Sequence, residues 1–289
     1  MAGQFKYVTA SEEDLKWGLY LNDAGYSEVK PNTRYPLKGH PDSYFFNWED
    51  GRILDEYQVN YITSGAGVFE TRKGVYRVQP GTILLLFPGI WHRYRPDFKI
   101  GWTEHFVGFN GVFTNRIFKH ELLSKNNPVL RIGFQEVLLQ EFMSLVSLVD
   151  EEKPGYQQIG AGKLLHIFGS IVSIIKNSEF ASKDIERTIR KANLYMRDNL
   201  NRNINMEELA GKLGVSYSTF RRMYKKYTGM PPNQYHLRLR LQKSKEMILF
   251  SNKSIKAIAY EVGFESIHYF SRLYKKKEGI APSRVRSIG

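Results

Sequence analysis

The stretch that decides the fold of this chain is Ile258-Ala-Tyr-Glu-Val-Gly-Phe-Glu-Ser-Ile-His-Tyr-Phe-Ser-Arg-Leu-Tyr-Lys-Lys276. Its apolar residues recur at helical spacing on both sides of Gly263, which can adopt the positive φ that ends a helix. Ser266 is a good N-cap for the second helix, whose other face carries Arg272 and a pair of lysines. This pattern predicts a helix-turn-helix whose second, basic helix can enter the major groove of DNA.

The same pattern occurs a second time further upstream. The segment from Leu209 to Gly214 precedes the segment from Ile258 to Gly263 by one constant offset. Beyond the turn, from Phe220 onwards, the copies align at an offset one residue longer, so the second copy has one extra residue in its turn. A duplicated basic helix-turn-helix is much more specific than a single one. The alternative is a plain helical bundle with solvated basic faces.

The positive charge of the chain is concentrated in the same half. The 289 residues carry a formal net charge of +13. Residues 181–289 hold 23 Lys/Arg and 9 Asp/Glu, whereas residues 1–180 hold 19 and 20. This distribution is typical of a polyanion-binding module joined to a neutral module with another task. The sequence contains no Cys, which excludes disulfides, thiol catalysis and thiolate metal sites.

The N-terminal half shows short strands followed by helices. Between residues 44 and 109, alternating and apolar segments are separated by strong turn signals such as Pro80-Gly81 and Pro88-Gly89. Many short strands at this spacing predict a sandwich or a barrel. Helical periodicity follows from residue 115, and residues 177–182 are the predicted linker. The composition shift and the change of pattern together predict two domains.

These residues resemble the AraC/XylS family of transcription regulators. The resemblance rests on Ile258-Ala-x-x-Val-Gly-Phe-x-Ser-x-x-Tyr-Phe-Ser-Arg272, on Gly279-Ile-Ala-Pro-Ser283 and on the upstream copy. Pro80-Gly-Thr-Ile-Leu-Leu-Leu-Phe-Pro-Gly89 and Gly101-Trp-x-Glu-x-Phe-x-Gly-Phe-x-Gly111 are similar to the family's cupin-like effector domain. The resemblance implies a DNA-binding transcription regulator that responds to a small molecule, often a sugar or related carbohydrate.

The implied fold class is α+β, with two domains. Residues 1–180 are expected to form a cupin-like β-barrel with flanking helices at 115–180, for effector binding and dimerisation. Residues 181–289 are expected to form an all-α double helix-turn-helix domain of the AraC type. The sequence leaves activation, repression or both open.

Carried over by position, the resemblance also implies which residues face DNA. Arginine can read guanine through bidentate hydrogen bonds, and Ile267 can meet a thymine methyl group. The later lysines of each helix are expected to contact phosphate. For Arg222 and Arg272, a phosphate or intramolecular contact is the alternative. The predicted DNA-binding residues are Ser218, Arg221, Arg222 and Lys225 in the first repeat, and Ile267, His268, Arg272 and Lys275 in the second.

For the barrel we predict an interior lined by aromatic rings and a few polar groups, which suits a sugar. Trp102, Glu104 and Phe106 share one strand face by parity. Arg52 and Tyr94 lie at strand positions that resemble pocket positions of the family. A purely structural role is the alternative for each of them. The predicted effector-binding residues are Phe46, Trp48, Arg52, Tyr94, Trp102, Glu104 and Phe106.

A cupin-type metalloenzyme with a nucleic-acid-binding appendage is the alternative from another functional class. Its metal would need two or more histidines and a carboxylate converging on one ion. The corresponding turn supplies His92 alone, and Glu104 and His105 are strand neighbours whose side chains face opposite sides. We therefore expect no catalytic residue, no metal and no cofactor. A third interpretation is an architectural DNA-binding protein that needs no ligand, but it gives the N-terminal barrel no function.

One helical stripe has two interpretations. Leu138, Phe142, Leu145 and Val149 either pack on their own barrel or form a two-fold interface with a second subunit, and we favour the interface. The expected partners are double-stranded DNA, a small-molecule effector and a second copy of the chain, with RNA polymerase as a further candidate. No run approaches the length of a membrane span, and the first residues lack a signal-peptide pattern. The expected location is the cytoplasm, without membrane contact.

Overall fold

A computed structural model describes residues 3–36, 47–178 and 183–288 of the chain. These residues belong to two compact units, 1–175 and 176–289, and each unit has apolar cores of its own. The division falls near the end of the helix Tyr156–Ser178.

The N-terminal unit is built mainly from antiparallel strands in two sheets. Its strands in the described residues are β1 (Gly3–Tyr7), β2 (Tyr20–Val29), β3 (Tyr57–Gly65), β4 (Gly67–Thr71), β5 (Gly74–Val78), β6 (Thr82–Leu86), β7 (His92–Pro96), β8 (Trp102–Asn110) and β9 (Val129–Arg131). The larger sheet has the order β1-β2-β8-β3-β6-β9, and the smaller has the order β5-β4-β7. This is the β-rich architecture that the spacing of turn signals predicts. Two short helices, α1 (Glu12–Trp17) and α2 (Thr114–Ile117), accompany the strands.

The two faces of the larger sheet pack in different cores. One face packs with the helices α3 (Glu136–Glu151) and α4 (Tyr156–Ser178) in a core that includes Tyr61, Val107 and Phe109. The other face meets the smaller sheet in a core that includes Trp102 and Tyr94. The space between the two sheets is the barrel interior. Because both faces of the larger sheet are covered, its strands do not alternate simply between core and solvent.

The apolar stripe of α3 belongs to the core between helices and sheet. Leu138, Phe142, Leu145 and Val149 are at most 1% exposed. The ring of Phe142 lies 5.8 Å from that of Tyr61 on β3, centroid to centroid. A helix beside a sheet buries its apolar stripe against that sheet. The prediction that these four side chains contact a second subunit is therefore wrong, and the alternative, packing on their own barrel, holds.

Helix α4 corrects another expectation. It is long and apolar enough to cross a membrane by length and composition alone, although no run of this length was expected. One side of the helix, with Leu164 and Ile167, lies in the core of the unit. Gln157 pairs with the backbone of Leu21 on β2, accepting from its N–H at 2.8 Å and donating to its carbonyl at 3.0 Å. The helix therefore packs as a core helix of the N-terminal unit.

The C-terminal unit is helical in the part of the chain that the structure describes. Its helices are α5 (Lys183–Asp198), α6 (Met206–Lys212), α7 (Tyr217–Thr228), α8 (Pro232–Phe250), α9 (Ile255–Glu261), α10 (Ile267–Glu278) and α11 (Pro282–Ile288). Helices α6–α7 and α9–α10 form the two predicted helix-turn-helix repeats, each with its own core, and α8 connects them.

Both turns have the chemistry that the sequence predicts. Gly214 and Gly263 have positive φ values of 73° and 79°, a conformation that glycine adopts without steric cost. Ser216 caps α7 by accepting a hydrogen bond from the Thr219 N–H at 3.3 Å, and Ser266 caps α10 in the same way. These local signals fix where each second helix begins.

Candidate effector site and DNA interface

Polar side chains in the barrel interior form a connected group around Arg52. The backbone of Arg52 forms a β-bridge with His92. Its Nε donates to His92 Nε2 at 3.2 Å, and its Nη2 donates to the Tyr94 hydroxyl at 2.7 Å. His92 Nδ1 lies 3.0 Å from the carbonyl oxygen of Ile90, so Nδ1 carries the proton and Nε2 accepts. Burial, with the adjacent Arg52 cation, lowers the pKa of His92 to about 3, which keeps the ring neutral.

Glu104 lies on the inner side of β8 and is 5% exposed. Trp102, two residues before it, belongs to the core between the sheets, whereas Val107 belongs to the core under the helices. Alternation along β8 places Glu104 and Phe106 on the same side of the strand as Trp102, in line with the predicted parity. Burial raises the pKa of the Glu104 carboxyl to about 7, and nearby Arg52 acts in the opposite direction. This carboxyl changes its charge near neutral pH.

Several buried polar atoms in this group have no hydrogen-bond partner among the described residues. They are Glu104 Oε2, Trp102 Nε1, and both Oδ1 and Nδ2 of Asn60. The Asn60 amide is close enough to Glu104 and Tyr94 to favour their charged forms, but it closes no hydrogen bond of ordinary geometry to either. Each buried polar group without a partner costs about 1–3 kcal/mol. Their concentration in one place indicates a site for a polar ligand.

Aromatic rings lie beside these polar atoms. Tyr35, Tyr94 and Trp102 form a cluster in which the ring centroids are 6.0–6.2 Å apart. Trp102 and Tyr94 are buried. Rings beside unsatisfied donors and acceptors are what a carbohydrate requires, because its C–H faces stack on rings while its hydroxyls need paired polar groups.

Two carboxyl groups, Asp23 and Glu56, meet at the Gly108 position of β8. Asp23 Oδ1 accepts from the Gly108 N–H at 2.9 Å, and Glu56 Oε2 accepts from Asn22 Nδ2 at 2.5 Å. Any side chain at position 108 would overlap both carboxyl groups. Burial and the neighbouring Glu56 raise the pKa of Asp23 well above its ordinary value.

The structure separates the predicted effector residues into two sets. Arg52, Tyr94, Trp102, Glu104 and Phe106 are part of the barrel interior or its buried wall. Phe46 lies outside the described residues.

Trp48 lies on the outer side of β7, where the guanidinium carbons of Arg93 and Arg95 stand 4.4 and 3.8 Å from its ring centroid. Arg93 and Arg95 alternate with the buried His92 and Tyr94 along the strand. The prediction that Trp48 lines the effector site is therefore wrong, because its partners point away from the interior.

Gln58, Asn60 and Asp23 are further buried polar residues of the barrel that the sequence pattern does not predict. In an alternating strand such as β3, polar residues are normally assigned to the solvent face. On β3, Gln58 and Asn60 face the barrel interior, because the other face, with Val59 and Tyr61, is covered by helices. The available signal was that the polar positions of this strand are uncharged amides, which is unusual for a solvent-exposed face.

The described ranges contain no group of three His, Cys, Asp or Glu side chains that could hold a metal ion. His105 points away from Glu104, as expected for strand neighbours, and its ring stacks on Tyr26 with centroids 5.9 Å apart. Burial lowers the pKa of His105 to about 4, so this ring is neutral as well.

The first recognition helix, α7, has a buried and an exposed side. Phe220 and Tyr224 are fully buried. The predicted DNA-binding residues share the spacing i, i+3, i+4 and i+7, which places them on one exposed stripe. They are Ser218, Arg221, Arg222 and Lys225. This stripe can present two guanidinium groups to a groove without disturbing the core.

The second recognition helix, α10, differs from the prediction at its start. His268, Arg272 and Lys275 form an exposed stripe. Ile267 is half-buried and lies in the row of Phe270 and Tyr274, so it sits at the edge of the stripe. Tyr269, which is not among the predicted DNA-binding residues, is 49% exposed and lies on the exposed stripe, with its ring centroid 6.0 Å from the guanidinium carbon of Arg272. Its spacing of three residues from Arg272 was the available signal.

Helix α8 holds the two repeats through two buried side chains one turn apart. His236 Nε2 lies 3.2 Å from the carbonyl oxygen of Asn199, at the end of α5. Arg240 Nε donates to the carbonyl oxygen of Val262 at 2.6 Å, and its guanidinium lies 4.0 Å from the ring centroid of Phe264. These contacts reach both sides of the unit from one rigid helix. They join α8 to the residue that follows α5 and to the turn of the second repeat.

Comparison with known proteins gives matches over both units. Residues 209–288 match the family described as helix-turn-helix domain, and residues 35–168 match the AraC-like ligand binding domain. The MmsAB operon regulatory protein of Pseudomonas aeruginosa is 28% identical over 240 residues, which cover 80% of this chain and 75% of that protein. The transcriptional activator RhaS of Escherichia coli is 22% identical over 273 residues, covering 91% and 93%. A solved AraC-type regulator from Chromobacterium violaceum is 29% identical, with a TM-score of 0.34, over 35% of this chain and 91% of that one.

Proposed function

Because the chain belongs to the AraC family of transcription regulators, we propose that it controls transcription in response to a sugar or related carbohydrate bound in its barrel. Its domains and relatives are those of regulators and not of enzymes. The observation that carries the proposal is the set of buried polar atoms without partners on Asn60, Trp102 and Glu104. The neighbouring Tyr35 and Tyr94 rings offer stacking surface.

A carbohydrate supplies the partners that these atoms lack. The Asn60 amide offers both a donor and an acceptor, the Trp102 indole donates, and the Glu104 carboxylate accepts. Satisfying them stabilises the bound conformation of the barrel relative to the free one. A ligand shifts a conformational equilibrium only through such differential interaction. DNA binding would respond to the ligand if the bound and free conformations of the barrel position the C-terminal unit differently.

A thermal-shift screen against mono- and oligosaccharides tests the proposal, since a ligand that binds the folded state raises Tm. Calorimetry on the best hit should show at least a tenfold weaker affinity for Asn60→Val and Glu104→Gln. Trp48→Phe is the matched control, because this ring lies on the outer side of β7. The proposal fails if no saccharide raises Tm, or if both interior variants bind the hit as the unsubstituted chain does.

The pH dependence of binding is a second readout of the same site. With its pKa at about 7, the Glu104 carboxyl is mostly protonated at pH 6 and mostly ionised at pH 8. A ligand whose hydroxyls donate to the carboxylate should therefore bind about tenfold more tightly at pH 8 than at pH 6. Glu104→Gln should remove this slope.

The proposal gives base contacts to the exposed stripes of α7 and α10 and phosphate contacts to Lys225 and Lys275. It places the protein in the cytoplasm, where it would act on double-stranded DNA together with RNA polymerase.

A second copy of the chain requires a surface other than the buried stripe of α3. The exposed surface of α4 is the candidate, because Ile159 and Leu165 are 53% and 48% exposed. Leu165→Asp should convert a dimer to a monomer in sedimentation experiments. An unsubstituted chain that is monomeric at micromolar concentration, with and without effector, would contradict dimerisation.

A further inference from the structure

A pocket lies at one end of the barrel and is bordered by His92, which also contacts Arg52. Its volume is about 230 Å³. Its walls are mainly apolar and come from β4, from the end of β6 and from the turns that follow β6 and precede β9. The apolar lining includes Phe69, Leu86, Phe87, Ile90 and Pro128. His92 borders the pocket as a neutral ring, since its two nitrogens are engaged by Ile90 and Arg52.

The two turns at the mouth of this pocket are held in place. Lys73, in the β4–β5 turn, donates from Nζ to Asn126 Oδ1 at 2.7 Å, which joins that turn to the loop before β9. The N–H of Leu85 donates to the carbonyl oxygen of Pro128 at 2.8 Å, which ties the same loop to β6. The pocket is therefore preformed, as small-molecule sites usually are.

Positively charged side chains surround the mouth of the pocket. Arg72, Lys73 and Lys125 line it. Arg72 stacks on Trp91 at 4.3 Å, and Lys73 has the neutral Asn126 as its partner. Among the residues that the structure describes, none of these three cations forms an ion pair with Asp or Glu. Cations at the mouth of an apolar cavity favour a ligand with an apolar body and one anionic end.

We propose that this pocket binds a small amphipathic carboxylate, with its alkyl or aryl body in the cavity and its carboxylate among Arg72, Lys73 and Lys125. Lysine and arginine bind a carboxylate through charge-assisted hydrogen bonds, and the apolar walls gain from burying methylene groups. A carbohydrate would leave its hydroxyls unpaired against Phe69, Leu86 and Phe87. The pocket is thus a second small-molecule site whose ligand class differs from that of the site around Glu104.

Calorimetry on the full-length chain with matched probes tests this proposal. Hexanoate should bind at one site, whereas 1-hexanol should bind at least tenfold more weakly and hexylamine should show no binding. Across acetate, butyrate and hexanoate, affinity should rise about three- to fourfold for each added methylene. Equal affinities for acetate and hexanoate would mean that the lysines attract any anion, which overturns the proposal. Hexanoate that does not bind overturns it as well.

Variants locate the site. The double variant Lys73→Gln/Lys125→Gln should weaken hexanoate at least tenfold and leave 1-hexanol unchanged. Lys99→Gln, an exposed cation that does not line the pocket, is the charge control. Glu104→Gln should leave hexanoate binding unchanged, which separates this proposal from the carbohydrate site. Unchanged hexanoate affinity in the double variant, or its loss in Glu104→Gln alone, would place the ligand elsewhere and overturn the proposal.

Discussion

The two helix-turn-helix repeats have the same arrangement of helices and turn, but some of their exposed residues differ. Their buried positions repeat: Phe220 corresponds to Phe270, and Tyr224 to Tyr274, all fully buried. Some outward positions differ: Ser218 corresponds to His268, Thr219 to Tyr269, and Arg221 to Ser271. Other exposed positions repeat, since Arg222 corresponds to Arg272 and Lys225 to Lys275. The repeated residues include those that a core and a tight turn require. The differing residues are free of that requirement, so the two helices can read unlike DNA sequences.

The repeats also differ in what supports them. In the first, the Tyr224 hydroxyl donates to Asn193 Oδ1 on α5. In the second, the hydroxyl of Tyr274 has no hydrogen-bond partner among the described residues. The second repeat is held instead at its turn, where Gly263 packs against the backbone of Asn201 and Arg202. Each matched pair of positions therefore offers an experiment with an internal control.

Substitution of the turn glycines should give the largest difference. A Cβ at position 263 would lie 2.7 Å from the Arg202 nitrogen, whereas one at position 214 meets open space. Both substitutions also cost about 1–2 kcal/mol for an alanine at positive φ. We expect Gly263→Ala to destabilise the C-terminal unit by more than 3 kcal/mol and Gly214→Ala by about 1–2 kcal/mol. Urea unfolding followed by circular dichroism measures both, and equal losses would contradict the close contact at Gly263.

Arg240 on α8 should give the next largest effect. Arg240→Met removes the hydrogen bond to the Val262 carbonyl and the contact with Phe264. We expect a loss of about 2–3 kcal/mol, because a buried carbonyl is left without a partner. When one base pair is inserted between the DNA segments bound by α7 and α10, the variant should also lose less DNA affinity than the unsubstituted chain does. His236→Gln is the comparison variant, because it alters the contact of α8 with Asn199 on the side of the first repeat. An unchanged response to the insertion in Arg240→Met would show that Arg240 does not set the spacing.

Substitution of the two buried tyrosines by phenylalanine should have the smallest effect on the free energy of unfolding. Tyr224→Phe leaves Asn193 without its donor and should cost about 1 kcal/mol. Tyr274→Phe removes a hydroxyl that has no partner among the described residues, so its effect should be close to zero or slightly stabilising. Thermal unfolding of the two variants side by side measures the difference. A larger loss of stability in Tyr274→Phe than in Tyr224→Phe would contradict this prediction.

The helical unit could be predicted in detail because its signals are local. The glycines at the turns and the serine caps act within a few residues of chain, and the structure has them as predicted. What the sequence could not give is the rotation of α10 about its axis. That rotation depends on tertiary packing, and it places Ile267 at the edge of the exposed stripe and Tyr269 on it.

The barrel was predictable as a set of strands but not as a site. Which side of a strand faces the interior depends on what covers each face of the sheet. That information is non-local, so Asn60 was missed and Trp48 was assigned to the wrong side. The stripe of α3 shows the same limit. Its period predicts one buried face but does not specify whether a sheet or a second subunit covers it.

The most direct test of the account is selection of bound sites from random DNA with the unsubstituted chain, Arg222→Ala and Arg272→Ala. If the repeats read unlike sequences, the segment bound by one subunit should be asymmetric and about two helical turns long. Arg222→Ala should relax base preference in one part of that segment, and Arg272→Ala should relax it in the other. The account is contradicted if both variants relax the same positions, or if both weaken selected and random DNA equally.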